Sequence, residues 1–298
     1  MNILITGGTG FIGEELRMML LKEGNNLIII SRNHQKHEDE NAKNQRFISW
    51  EDDLPAAMNE ADAVINLAGE NLFGMRWTEE VKRKIKNSRI QSTKKLVDAM
   101  KDAENKPEVF ISASAAGIYG DRGGDILTED EEAANDFLAQ VCKDWEEEAQ
   151  KASEFGVRVA NPRIGIVLET GGGALEKMIP AFQFFAGGPI GKGDQYMSWV
   201  HRSDLCEALI FPIQNKQIMG PYNVCSPNPV TMNEFAKTLG NIMNRPSYLR
   251  VPQLALDIVL GEAAKPVTDS IRMQPKKLQL ANFEFQYEEL EEALADIL

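Results

Sequence analysis

"ILITGGTGFIGEEL", residues 3–16, decides the fold. It opens on an apolar run, passes through Gly7, Gly10 and Gly13, and continues into a stretch with helical periodicity. The GxxGxxG spacing alone arises by chance. Directly after a strand and ahead of a helix it predicts a dinucleotide-binding turn. In such a turn Gly7 allows the tight reversal. Gly10 lets the backbone approach a pyrophosphate at the helix N-terminus. Gly13 lets the helix pack close to the sheet.

Strands and helices alternate outward from this stretch. "NLIIIS" (26–31), "RFISW" (46–50), "DAVINLAG" (62–69), "EVFISAS" (108–114) and "VRVANPRIGIVL" (157–168) read as strands. Charged helical segments span roughly 78–103 and 135–155, and a polar loop spans Arg32 to about Gln45. The alternation predicts an α/β protein with a Rossmann-type doubly wound, mostly parallel sheet. Beyond about 170 the pattern changes to glycine-rich loops, "ETGGGALEKM" and "FFAGGPIGKGDQ", around a short helix. From about 231 the tail is mostly helical. We therefore expect a Rossmann domain over 1–230, with 170–195 contributing to a substrate cleft, and a smaller, mostly helical, substrate-side domain over 231–298.

The end of the second strand reads the cofactor ribose. NAD sites usually place an acidic residue there. This chain has Ser31-Arg32. A hydroxyl and a guanidinium suit a 2′-phosphate, which predicts NADP(H). Asn66, Leu67 and Ala68 end the fourth strand with small residues suited to close approach of the cofactor. Arg89, in "KNSRIQST", is a candidate second cation for its phosphates, or a surface helix arginine. The predicted cofactor set is Gly7, Thr9, Gly10, Phe11, Ile12, Gly13, Ser31, Arg32, Leu67, Ala68, Arg89 and Lys143. "GGPIGKGDQ" lacks P-loop spacing, and Gly193 follows Lys192 where Ser or Thr is needed, so it reads as a cleft loop.

Composition narrows the function classes. The 298-residue chain carries a net charge of −13, which disfavours nucleic acid as a partner. Cys142, Cys206 and Cys225 form no CxxC pair. With only three histidines, no metal site is expected. Free thiols, no signal-peptide pattern and no apolar run of roughly 20 residues predict a cytoplasmic protein with no membrane segment.

"TGGTGFIG" (6–13), "NLAG" (66–69), "SASAAGIYG" (112–120) and "WVHRSDL" (199–205) resemble, in order and spacing, the extended short-chain dehydrogenase/reductases. "NLAGE", "GGGA" and "GGPIGKGDQ" match an atypical, nucleoside-diphosphate-sugar-epimerase-like branch. The tail, about 249–295, looks like that branch's small C-terminal domain of unknown function. The resemblance implies a Ser–Tyr–Lys mechanism with tyrosine and lysine four apart on one helix. Ser114 matches the serine and Lys143 the lysine. Ala139 stands where the tyrosine belongs, and no tyrosine in the chain has a lysine four residues later.

Three routes stay open. Tyr119 could supply the proton, giving a catalytic set of Ser114, Tyr119 and Lys143. The substrate or another group, such as His201 or Asp204, could carry it, although "WVHRSDL" also reads as a motif that orders a strand-to-helix junction. Or the site binds NADP(H) without chemistry. Lys143 also reads as a surface cation paired with Glu147, and Trp145 as core. The retained serine and cleft motifs favour an NADP(H)-dependent oxidoreductase or epimerase-like enzyme acting on a small polar substrate, a class that includes nucleotide sugars. The missing tyrosine favours a non-catalytic NADP(H) sensor. The resemblance allows a homodimer, though the helices that would pair are heavily charged.

Overall fold

The computed structural model describes residues 1–72 and 76–298. Its strands are β1 (Asn2–Thr6), β2 (Asn26–Ile30), β3 (Gln45–Ile48), β4 (Ala63–Asn66), β5 (Val109–Ser112), β6 (Ser114–Ala115), β7 (Ile126–Leu127), β8 (Arg158–Ile164), β9 (Ile166–Leu168), β10 (Tyr196–Met197), β11 (Trp199–His201), β12 (Gly220–Val224), β13 (Val230–Thr231) and β14 (Arg272–Met273). The main sheet is parallel, in the order β12-β8-β5-β4-β1-β2-β3, with β6 beside β8. The chain runs from β1 outward to β3, then returns to β4 on the other side of β1. The strand order reverses there, so a crevice opens beyond the carboxyl ends of β1 and β4, where doubly wound sheets bind ligands.

Alternation along the strands explains the layers. Ile3 and Ile5 face one core with Leu27, Ile65, Ile111 and Leu205. Leu4 faces the other with Ile28, Val64, Phe110 and Leu96. Both faces are covered, so the strands read as continuous apolar runs. Helices α1 (Gly13–Lys22), α2 (Leu54–Glu60), α3 (Glu79–Asp102) and α4 (Phe137–Gln150) follow the strands. The Thr78 side chain caps α3 by accepting from Val81 N, and Asp136 caps α4 by accepting from Ala139 N. Two details depart from the sequence reading. The polar loop contains a 3₁₀ turn, His34–Glu40, held by Arg17 and His37 on Glu40. The 157–168 strand breaks into two at Gly165, where a Cβ would lie 2.7 Å from Ser198 O.

The rest of the chain forms α5 (Gly173–Gln183), α6 (Arg202–Gln214), α7 (Met232–Met243), α8 (Gln253–Leu260), α9 (Lys265–Thr268), α10 (Lys276–Leu280) and α11 (Leu290–Ile297). A second core joins Leu175, Phe182 and Trp199 to Phe235, Leu239 and Leu294. It draws on residues before and after 230, so the chain crosses between the lobes more than once. Strand β14 pairs with β7, which fastens the C-terminal region beside the sheet. Among the described residues, no helix is long and apolar enough to cross a membrane, and no group of His, Cys, Asp or Glu gathers as metal ligands.

Candidate active site

The glycine turn has the geometry that its sequence predicts. Gly7 has φ +71°, and a Cβ there would lie 2.7 Å from Leu67 O. A Cβ on Gly13 would lie 2.2 Å from Gly7 O. Both positions are closed to side chains by the protein itself. Gly10 differs: it is exposed, and a Cβ would meet only Gly7 O, at 3.3 Å. The space above Gly10 is open to a ligand. Phe11 packs against Gly172 and beneath the Arg202 guanidinium, so the "GGGA" loop closes over the turn.

At the reversal point, Thr6 Oγ1 donates to Asn66 Oδ1 at 2.6 Å. Asn66 Nδ2 donates to Thr93 Oγ1 and Ser112 Oγ. Trp145, buried as expected, donates to the same Thr93 oxygen. This chain fixes the β4 end and presents the Leu67–Gly69 backbone to the crevice. Arg89 is no surface arginine. It lies over the Trp145 ring and against Gly69, and among the described residues its side chain makes one hydrogen bond, to Ile85 O. Burial pushes its pKa down. Its remaining donors suit an anion at the crevice.

At the other end, Ser31 is buried and Arg32 is exposed beside a cavity of about 640 Å³. Arg83, Lys84, Asn87 and Ser88 of α3 also line it, with Glu70 and Glu80. Glu80 holds Lys84 at 2.7 Å, and Glu70 lies 3.9 Å from Arg32. Three cations thus gather around one cavity beyond the end of β2. The sequence reading missed Arg83 and Lys84. The basic run "VKRKIK" in an acidic chain was the available signal.

The serine region departs from expectation. Ser114 is buried, and its hydroxyl donates to Glu146 Oε1 at 2.6 Å. Arg163 grips both carboxylate oxygens of Glu146 at 3.0 Å. Arg163 Nη1 also donates to the Tyr119 hydroxyl, which donates to Asn223 Oδ1 at 2.7 Å. Tyr119 is fully buried, and burial pushes its hydroxyl up to about 12. This arrangement opposes Tyr119 as the substrate's acid, because the acceptors of its proton are the buried Asn223 Oδ1 and the Thr128 carbonyl. It likewise turns the Ser114 proton away from any substrate oxygen. Lys143 stands apart from this cluster. It is half-buried and, among the described residues, makes no hydrogen bond or ion pair, with Glu147 or otherwise. Ala139 is fully buried.

The "WVHRSDL" motif is structural. His201 caps α6 by accepting from Ser203 N, and its ring lies 4.1 Å from that of Tyr287. Asp204 accepts from the backbone of Gln286 and Tyr287, tying down the C-terminal segment. The "GGPIGKGDQ" glycines serve packing: a Cβ on Gly187 would strike Phe182, and one on Gly188 would strike Leu249 O. Past this loop, a narrow cavity of about 30 Å³ lies between the lobes. Ala116 and Ile166 of the sheet region line it together with Tyr196, Ser198, Val267 and Asp269.

The family profile for NAD dependent epimerases and dehydratases matches residues 3–225. The chain belongs to the NAD dependent epimerase/dehydratase family. A second profile, a domain of unknown function, matches residues 251–297. The epimerase family protein YfhF of Bacillus subtilis is 39% identical, over all of this chain and 98% of its own. The chloroplastic SDR39U1 homolog of Arabidopsis thaliana is 39% identical over all of this chain and 87% of its own. The crystal structure of human epimerase family protein SDR39U1 with NADPH superposes with a TM-score of 0.89 at 29% identity, covering 100% of this chain and 99% of that one. As an epimerase-family member this chain keeps the dinucleotide turn and the parallel sheet, but lacks the tyrosine–lysine pair.

Proposed function

We propose that this protein binds NADP(H) and acts as an NADP(H)-dependent oxidoreductase or epimerase-like enzyme on a small polar substrate. The observation that carries the reading is the gathering of Arg32, Arg83 and Lys84 around one cavity at the β2 end, where an NAD site places a carboxylate. The NADPH in the human relative's crystal structure supports it. The turn at Gly7, Gly10 and Gly13, with Thr9, Phe11 and Ile12, would hold the pyrophosphate. Ser31, Arg32 and Arg83 would hold a 2′-phosphate. Leu67, Ala68 and Arg89 would line the ribose path, and Lys143 would remain free to meet the nicotinamide half. A nicotinamide bound there supplies or removes hydride.

Calorimetric titration with NADPH and NADH tests the reading. We expect NADPH to bind at least tenfold tighter, about 1.4 kcal/mol. Equal affinities would overturn the 2′-phosphate assignment. A second reading, binding without chemistry, draws on Ala139 and on the locked Tyr119. Single-turnover transfer from deuterated NADPH to a panel of ketones and nucleotide sugars separates the two: transfer supports the enzyme, and silence alongside tight binding supports the sensor.

A further inference from the structure

We propose that Asp269, contributed by the C-terminal region, is the proton carrier of this site in place of the missing tyrosine. The inference rests on the cofactor reading above. Its first support is location. A dinucleotide lying across the crevice with its adenosine on the β2 side directs its nicotinamide toward β4 and β5. Ala116, just beyond β6, and Ile166, just beyond β8, form the sheet wall of the narrow cavity on that side. Asp269, from the C-terminal region, lines the same cavity. Among the described residues, the only other titratable group lining the cavity is Tyr196.

The second support is the state of the carboxyl group. Among the described residues, the Asp269 side chain makes no hydrogen bond and no ion pair, which is unusual for a half-buried carboxylate. Burial raises its pKa to about 6; Lys265 opposes the rise, and Asp121 and Asp136 add to it. The Arg272 guanidinium lies over the Tyr196 ring at the cavity edge. The third support is rigidity. Ile271 N donates to Tyr196 O, Tyr196 N donates to Ser270 Oγ, and Met273 N donates to Ser198 Oγ. Arg122 N donates to Ser270 O on the other side. The segment that carries Asp269 is therefore fixed at the cavity, as a proton carrier requires.

At about 30 Å³ the cavity has room for about two water molecules, which suits a carbonyl group rather than a whole sugar ring. In the reducing direction, hydride and its electron pair come from the reduced nicotinamide and form a C–H bond at the carbonyl carbon. The C=O π pair moves to oxygen. The Asp269 O–H bond breaks, its proton joins that oxygen, and the carboxylate keeps the pair.

The test reads Asp269 directly and needs no substrate. Protein labelled with ¹³C at aspartate carboxyls is titrated by NMR, with Asp269→Asn identifying the resonance. Titrations are run saturated with NADP⁺ and with NADPH. The oxidised ring carries a positive charge and the reduced ring does not. The Asp269 midpoint should therefore lie at least about 0.5 pH unit lower with NADP⁺. One common midpoint with both nucleotides bound would overturn the role of Asp269 alone. Failure of both nucleotides to bind by calorimetry would remove the cofactor reading, and this proposal with it. With any panel carbonyl that the wild type reduces, Asp269→Asn should slow hydride transfer about 100-fold without weakening NADPH binding.

Discussion

Replacing Tyr119 by Phe separates a structural tyrosine from a catalytic one. The hydroxyl donates to Asn223 Oδ1 at 2.7 Å and accepts from Arg163 Nη1 at 3.0 Å. Its removal leaves the Asn223 oxygen buried without a donor, because Asn223 Nδ2 and N are already engaged elsewhere and cannot turn to compensate. It also deprives the buried guanidinium of one acceptor, although Glu146 still holds that group. An orphaned buried acceptor and a lost charge-assisted hydrogen bond together cost about 2–4 kcal/mol. Urea unfolding followed by tryptophan fluorescence should show a lower midpoint at an unchanged slope. NADPH affinity should stay within about twofold, equivalent to 0.4 kcal/mol. An unchanged midpoint together with lost hydride transfer would refute the reasoning and return Tyr119 to the chemistry.

Three further outcomes follow from the same geometry. Gly10→Ala should fold almost normally, because its Cβ meets only Gly7 O, yet weaken NADPH binding at least tenfold in calorimetry; Gly13→Ala should lose stability as well. Arg83→Ala and Lys84→Ala should each weaken NADPH binding severalfold, more at low salt, and leave NADH binding unchanged. Burial, opposed by Asp204 and Asp296, lowers the His201 pKa below its usual 6.5. The His201 contribution to stability is therefore complete above about 6.5, and is lost as pH falls through the lower folded value. The gap in urea midpoint between the wild type and His201→Gln should accordingly shrink between pH 7.5 and pH 5.

Much of the fold was legible because its signals are local. Apolar runs marked the strands, and Gly7 and Gly13 carried their packing constraints in their spacing. The sequence did not show where side chains point. Ser114 lies in the expected motif, but whether its hydroxyl faces the crevice or α4 depends on Glu146 and Arg163, 32 and 49 residues further on. Arg89 could be read either as a phosphate cation or as a helix-surface arginine, because burial against Trp145 requires α3 and α4 to be packed first. Asp269 carried no motif. Its place at the cavity comes from β14 pairing with β7, a contact across some 145 residues that no short-range pattern encodes.

The loss at position 139 and the gain at position 269 have one physical basis. Helix α4 begins hard against the segment after β6: Leu138 lies within 3.3 Å of where a Gly117 side chain would start, and Ala139 has no exposed surface. A phenol at 139 would have to displace that packing, and overfilling a closed site costs about 1–3 kcal/mol. The wall that carries the family's tyrosine has thus closed over in this chain. The cavity beyond Ala116 still needs a proton carrier if hydride is to move there. Pro266, Val267, Asp269 and Ile271 also line that cavity, and among the described residues the Asp269 carboxyl group makes no hydrogen bond or ion pair. The C-terminal domain then does more than cover the cleft. By setting Asp269 in the same cavity as Ala116 and Ile166, it completes a site that the Rossmann lobe alone leaves without an acid.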